Sequence, residues 1–145
     1  MTVSPYLMFE GRAEEAANFY KKTLGAKVQT LMRFADAPAN SPQPAEGCAG
    51  EMPGPSDKIM HMALMIDGSL VMGSDGMCSG KPNFQGISLT LEPKDEKEAE
   101  KVFNALADGG QVQMPLQPTF FSKSFGMVAD RFGVPWMVVA PEPKS

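Results

Sequence analysis

Phe19-Tyr-Lys-Lys-Thr-Leu-Gly25-Ala-Lys-Val28 closes an apolar helical pattern on a glycine and runs on into a strand-like segment. Phe103-Asn-Ala-Leu-Ala-Asp-Gly109-Gly-Gln-Val112 does the same, with Phe, Gly and Val in identical register. Later in each half a turn glycine precedes a methionine by four residues, Gly68 before Met72 and Gly133 before Met137. An internal echo of this kind marks a duplicated unit. It predicts two related modules with a site between them.

Working outward, residues 3–9 read as a strand and residues 12–24 as a helix. Ala13, Ala16, Ala17, Tyr20 and Leu24 fall on one face of that helix, and Gly25 stands as its C-cap. A strand over 26–34 follows, then a proline-rich stretch over 35–58 that reads as a long surface loop. Residues 59–66 and 69–74 read as a hairpin around Asp67-Gly68, a strong two-residue turn signal. The second half repeats the order: a strand over 85–91, a helix over 95–108 stopped by Gly109-Gly110, and an irregular strand over 111–121 broken by Pro115 and Pro118. Residues 125–129 and 135–140 form the last hairpin.

The expected fold is therefore α+β: duplicated β-α-β-β-β modules forming an open, curled sheet around a central cleft. It spans a single domain over 1–145, with modules at 1–75 and 84–145. A lone module leaves one sheet face uncovered by its helix. Alternation in the first hairpin predicts Met60, Met62, Leu64 and Ile66 against the helix, and His61, Ala63 and Met65 toward the cleft.

Composition narrows the function classes. At 145 residues the chain can bury an adequate core without disulfides or metal staples. The net charge is −4, and the 13 Lys and Arg residues are scattered without a basic stripe, which argues against nucleic acid as a partner. There is no apolar run long enough to span a membrane, and the first residues do not read as a signal peptide. Cys48 and Cys78 are too few for a disulfide framework, so reduced thiols and a cytoplasmic location are expected.

Several motifs resemble the vicinal oxygen chelate superfamily, which includes glyoxalase I, extradiol dioxygenases and bleomycin-resistance proteins. Within it the chain is similar to the PhnB-like branch. The motifs are Pro5-Tyr-Leu-Met-Phe-Glu-Gly11, Phe19-Tyr20 with Leu24-Gly25, Ile59-Met-His61-Met-Ala, Gly68-Ser-Leu-Val-Met-Gly-Ser-Asp75, and Phe125-Gly-Met-Val-Ala-Asp-Arg-Phe-Gly-Val-Pro-Trp136. They cover nearly the whole chain. Homologues of this branch often carry a 3-demethylubiquinone methyltransferase label, yet this sequence has no Gly-rich nucleotide loop after its first strand.

The resemblance implies that metal-using relatives draw His or Glu ligands from the first and last strands of each half. Carried over, those positions fall near Pro5, Met72, Gly86 and Met137. None is an imidazole or a carboxylate, the donors that divalent zinc, manganese, iron or nickel would need. The chain holds a single His. No cofactor is expected, and the metal site is expected to be empty of ligands.

Individual residues carry competing readings. His61 facing the cleft suits a general base or an anion contact, and equally a structural histidine at a strand edge. Met72 and Met137 suit a flexible apolar lining, or soft ligands for copper(I). Phe120, Phe121, Phe125 and Trp136 form an aromatic cluster that suits a planar ligand, a small core or a dimer seam. Ser74, Asp75 and Cys78 read as a nucleophile region or as loop caps, and Ser88 joins the expected ligand-binding set at the start of the second half. The function expected from these residues is metal-free binding of a small apolar or aromatic molecule by a homodimer. The alternative is a glyoxalase- or dioxygenase-type enzyme using His61 or a displaced metal site. A third is an interaction protein with a vestigial cleft.

Overall fold

The computed structural model describes residues 1–36, 57–76 and 79–141. Most of the loop expected over 35–58 lies outside the described residues, as do Cys48 and Cys78. The chain divides into two compact units, Met1–Pro82 and Asn83–Ser145.

In the first unit β1 (Tyr6–Met8) leads to α1 (Ala13–Leu24), β2 (Lys27–Arg33), a short 3-10 turn at Phe34–Asp36, β3 (Ile59–Ile66) and β4 (Ser69–Ser74). The second unit repeats this as β5 (Leu89–Leu91), α2 (Glu96–Ala107), β6 (Gln111–Gln117), β7 (Phe125–Ala129) and β8 (Pro135–Val139). Each unit is β-α-β-β-β, as the sequence echo requires. The two sheets have the same strand order, β1-β4-β3-β2 and β5-β8-β7-β6, and neither closes on itself. In each, the first strand pairs parallel to the last and the other pairings are antiparallel.

The helices form where their sequence supports them. α1 carries Glu14 and Glu15 in its first turn and Lys21 and Lys22 in its last, both favourable to the helix dipole. Gly25 ends it in the left-handed region at φ 67°, where a side chain would be strained. α2 is capped by Asp95, whose carboxylate accepts the Glu98 N–H at 2.8 Å. The β3–β4 turn places Asp67 and Gly68 both at positive φ, the geometry of a tight hairpin that follows strand twist.

Strand lengths are the main departure from expectation. The strand expected over 3–9 pairs only at Tyr6–Met8, where β1 has β4 beside it. The strand expected over 85–91 is confined to Leu89–Leu91, because Gly86 sits at φ 83° and breaks the extended run. β6 ends at Gln117 rather than Phe121: Pro118 follows, and Thr119 to Ser122 fold into a turn closed by the Thr119 N–H to the Ser122 carbonyl at 2.9 Å.

Register fixes the faces of each sheet. Leu7, Met62, Leu64, Ile66 and Val71 are buried on the side of α1, against Ala13, Ala16, Ala17 and Tyr20. Met60 was expected in this row, but it is only half-buried, and Ile59 is fully buried instead. The β2–β3 register shifts by a residue between the Met32–His61 and Arg33–Ile59 pairs, and an irregularity of that kind exchanges the faces beyond it. In the second unit Val128, Trp136 and Val138 are buried on the side of α2, with Ala99, Phe103 and Leu106.

The two units solve the same packing problem in opposite ways. The Met62–Gly73 pair of the first corresponds in register to the Gly126–Val138 pair of the second. One of each pair is glycine because the space is taken. A Cβ on Gly73 would meet the Leu7 carbonyl at 2.9 Å, and one on Gly126 would meet the Phe103 ring at 2.7 Å.

Candidate functional site

The face of the first sheet away from α1 carries the chemistry. Strand alternation puts His61, Ala63 and Met65 on this face. The registers Ala63–Met72, Met65–Leu70 and Met32–His61 extend it across β4 and β2. The pairs Tyr6–Met72 and Met8–Ser74 extend it to β1. Tyr6 is 41% exposed, Met8 54% and Met32 37%, so this is a partly open apolar surface. Met8, Met32, Met65 and Met72 share this face with a single imidazole.

That imidazole has one described partner. The Tyr6 hydroxyl lies 3.2 Å from His61 Nδ1, and the two rings stack with centroids 5.6 Å apart and planes 24° from parallel. Stacking fixes the imidazole plane, and the hydroxyl contact engages one ring nitrogen. When the hydroxyl donates, Nδ1 is the acceptor and Nε2 carries the proton.

Ser74 and Asp75 serve the backbone. Ser74 Oγ accepts the Gly76 N–H at 3.0 Å. Asp75 is buried, and its two carboxylate oxygens accept the Ala13 N–H at 2.8 Å and the Ile59 N–H at 2.6 Å. These are the loop-capping roles, and Asp75 has both oxygens engaged in them.

The aromatic cluster divides. Phe120, Phe121 and Phe125 make a chain of edge-on contacts, with centroids 5.2 and 5.1 Å apart. Phe120, at 95% exposure, is nearly bare of neighbours. Trp136 stands on the opposite face of the second sheet from Phe125. It is buried on the α2 side of the second sheet, and its indole N–H donates to Asp130 Oδ2 at 2.9 Å. Asp130 Oδ1 also accepts the Phe132 and Val134 N–H groups, so this carboxylate organises the β7–β8 turn. Met137, one residue on, faces the other way and pairs across with Met127, while Ser88 is exposed just before β5.

Tyr6, Met8 and Met32 belong to the first-sheet surface although the sequence reading did not select them. The signal was available in Tyr6-Leu7-Met8-Phe9, which alternates exposed and buried residues. On β1, Tyr6 rather than Pro5 is the residue beside Met72. A divalent metal does not fit these positions, since Tyr6, Met72, Thr90 and Met137 supply no imidazole or carboxylate. Among the described residues no three His, Cys, Asp or Glu side chains gather as a metal site.

The family model described as 3-demethylubiquinone-9 3-methyltransferase matches residues 1–139. Protein YjdN of Escherichia coli is 39% identical over 138 residues, covering 95% of this chain and 94% of that protein. The crystal structure of protein PA1353 from Pseudomonas aeruginosa superposes with a TM-score of 0.79 at 39% identity, covering 99% of each chain. The PhnB protein from Bacillus cereus gives 0.76 at 30% identity, covering 97% of this chain and 99% of that one. The fosfomycin resistance protein FosX from Listeria monocytogenes shares the fold, with a TM-score of 0.61 at 10% identity over 97% of this chain and 92% of its own. Among the described residues no helix is long and apolar enough to cross a membrane.

Proposed function

The chain belongs to the 3-demethylubiquinone-9 3-methyltransferase family, with a PhnB protein among its structural relatives, and we propose that it is a small-molecule binding protein rather than a metal enzyme. Its ligand is a neutral, apolar or aromatic molecule carrying one hydrogen-bonding group. It lies on the first sheet, on the face away from α1. The supporting observation is the Tyr6–His61 pair standing among Met8, Met32, Met65 and Met72. Thioethers adapt to varied ligand shapes and favour contact with aromatic rings. One polar pair in an apolar setting fixes orientation. The protein acts in the cytoplasm as a homodimer, binds neither nucleic acid nor membrane, and uses no metal for this task. Light scattering on the purified chain tests the dimer.

The binding test uses naphthol and hydroquinone as neutral aromatic probes and naphthalene sulfonate as a charged one. The neutral probes should raise the melting temperature in a saturable way and shift the methyl resonances of Met8, Met32 and Met72. Saturable binding that leaves those resonances in place, or preference for the sulfonate, would overturn the reading.

A second reading has its own support. A histidine whose plane is fixed by a tyrosine is also equipped for proton transfer. A glyoxalase- or dioxygenase-type enzyme built on His61 would lose turnover in His61→Ala while keeping its fold.

A further inference from the structure

The second sheet carries a different grouping, on its face away from α2. Met114 on β6 pairs with Met127 on β7, and Met127 pairs with Met137 on β8. Three methionines therefore stand side by side across three consecutive strands. Neighbouring strands lie about 4.8 Å apart, and directly opposed residues have Cβ atoms about 5 Å apart. A thioether sulfur sits two bonds beyond Cβ on a flexible stem, so three sulfurs in such a row can turn onto one point between them.

The distribution of methionine argues that the row is more than filler. Residues 83–145 contain three methionines, and all three are in it. The buried core of this unit is built from residues such as Phe103, Leu106, Val128, Trp136 and Val138, with no methionine. Each methionine of the row is half-buried rather than buried. On the same face of β7, Phe125 stands two residues before Met127 and is buried.

We propose that Met114, Met127 and Met137 form a binding site for a soft monovalent cation, copper(I) or its redox-stable analogue silver(I). Thioether sulfur is a soft neutral donor that selects such ions over zinc, manganese or magnesium. The site is separate from the Tyr6–His61 surface and does not depend on the function proposed for it. A thioether has no proton to lose, so affinity is independent of pH, unlike that of a cysteine or histidine site.

The test is calorimetric titration of silver(I) into the full chain carrying Cys48→Ser and Cys78→Ser, which removes thiol competition. One silver(I) should bind per chain, with the same affinity at about pH 5 and about pH 8. The methyl resonances of Met114, Met127 and Met137 should shift together at one equivalent. Disturbing even the groups around metal ligands costs about tenfold or more in affinity, so Met127→Leu, which conserves volume, should weaken binding at least that much. Met137→Leu gives an independent second reading, and Met62→Leu, in the buried core of the first unit, should change nothing. The proposal is overturned if silver(I) does not saturate a single site, if affinity falls at acid pH, or if the folded Met127→Leu and Met137→Leu proteins bind as well as their parent.

Discussion

The carboxylate of Asp75, at the end of β4, accepts the backbone N–H of Ala13 at the start of α1 at 2.8 Å, although the two residues are far apart in sequence. The local N-cap position of α1 is Arg12, which makes no side-chain cap. A buried acidic group from another strand thus replaces the missing local cap, and it holds the Ile59 N–H as well. Leaving a buried donor unpaired costs about 1–3 kcal/mol. With two donors at stake, Asp75→Ala should lower stability by about 3 kcal/mol in urea unfolding, and Asp75→Asn by about half of that. A loss in Asp75→Ala below about 1 kcal/mol would show that the cap is dispensable.

Asp130 has a parallel role in the second unit, with three donors rather than two. Its carboxylate holds the Phe132 and Val134 N–H groups and the Trp136 indole. Removing the carboxylate takes this acceptor from all three, whereas Trp136→Phe removes one bond together with its donor. The expected order of destabilisation is Asp130→Ala well above Trp136→Phe, with the latter near about 1–2 kcal/mol. Far-UV circular dichroism during denaturant unfolding reads both variants. Equal losses would mean that the turn does not depend on its carboxylate.

These two aspartates mark where sequence reading stops. Asp130 lies in a short turn motif, but nothing local links Asp75 to Ala13 or says that Arg12 lacks a cap. The hairpin of Ile59–Ile66 and Ser69–Ser74 was legible to the residue, because alternation and the Asp67-Gly68 turn are both local signals. β1 and β5 were read too long, because their extent depends on β4 and β8 beside them. Grouping Trp136 with Phe121 and Phe125 followed sequence proximity, whereas strand alternation puts Trp136 and Met137 on opposite faces. The Met114–Met127–Met137 row was hidden because it exists only once three strands are in register.

The exchanged glycine between the units gives a steric expectation. A Cβ at Gly126 would meet the Phe103 ring at 2.7 Å and the Met114 carbonyl at 3.1 Å. Overpacking a filled core costs about 1–3 kcal/mol, so Gly126→Ala should lower the melting temperature clearly. Adding Phe103→Leu should recover part of the loss by opening space above the new methyl group. A Gly126→Ala protein as stable as its parent would mean that the sheet yields there easily.

Arg33 ties β2 to α1. Its guanidinium pairs with Glu14 and donates to the Asp57 carbonyl at 2.6 Å, while its backbone N–H donates to Asp36 at 2.9 Å. The hydrogen bond from Arg33 holds the Glu14 pKa below its ordinary value of 4.5. A depressed carboxylate contributes stability above its unfolded pKa and loses it as pH falls through the lower folded value. Glu14 is exposed and Arg33 partly so, which makes the contribution small and salt-sensitive. In a carboxyl NMR titration, Arg33→Ala should return Glu14 upward toward its ordinary value. An unchanged midpoint would remove Arg33 as the cause.

Tyr6 and His61 allow the stack and the hydrogen bond to be separated. Tyr6→Phe keeps a ring against the imidazole but removes the hydroxyl that engages Nδ1 at 3.2 Å. Both residues are only partly buried, so neither substitution should unfold the sheet. If the pair orients a neutral aromatic ligand, Tyr6→Phe should weaken naphthol binding by about fivefold, the worth of one hydrogen bond near 1 kcal/mol. His61→Ala removes both the stack and the polar contact and should weaken it further. Binding unchanged in His61→Ala would place the ligand elsewhere. Binding kept in Tyr6→Phe but lost in His61→Ala would mean that the imidazole meets the ligand through Nε2 alone, with Tyr6 serving only as the ring against which it stacks.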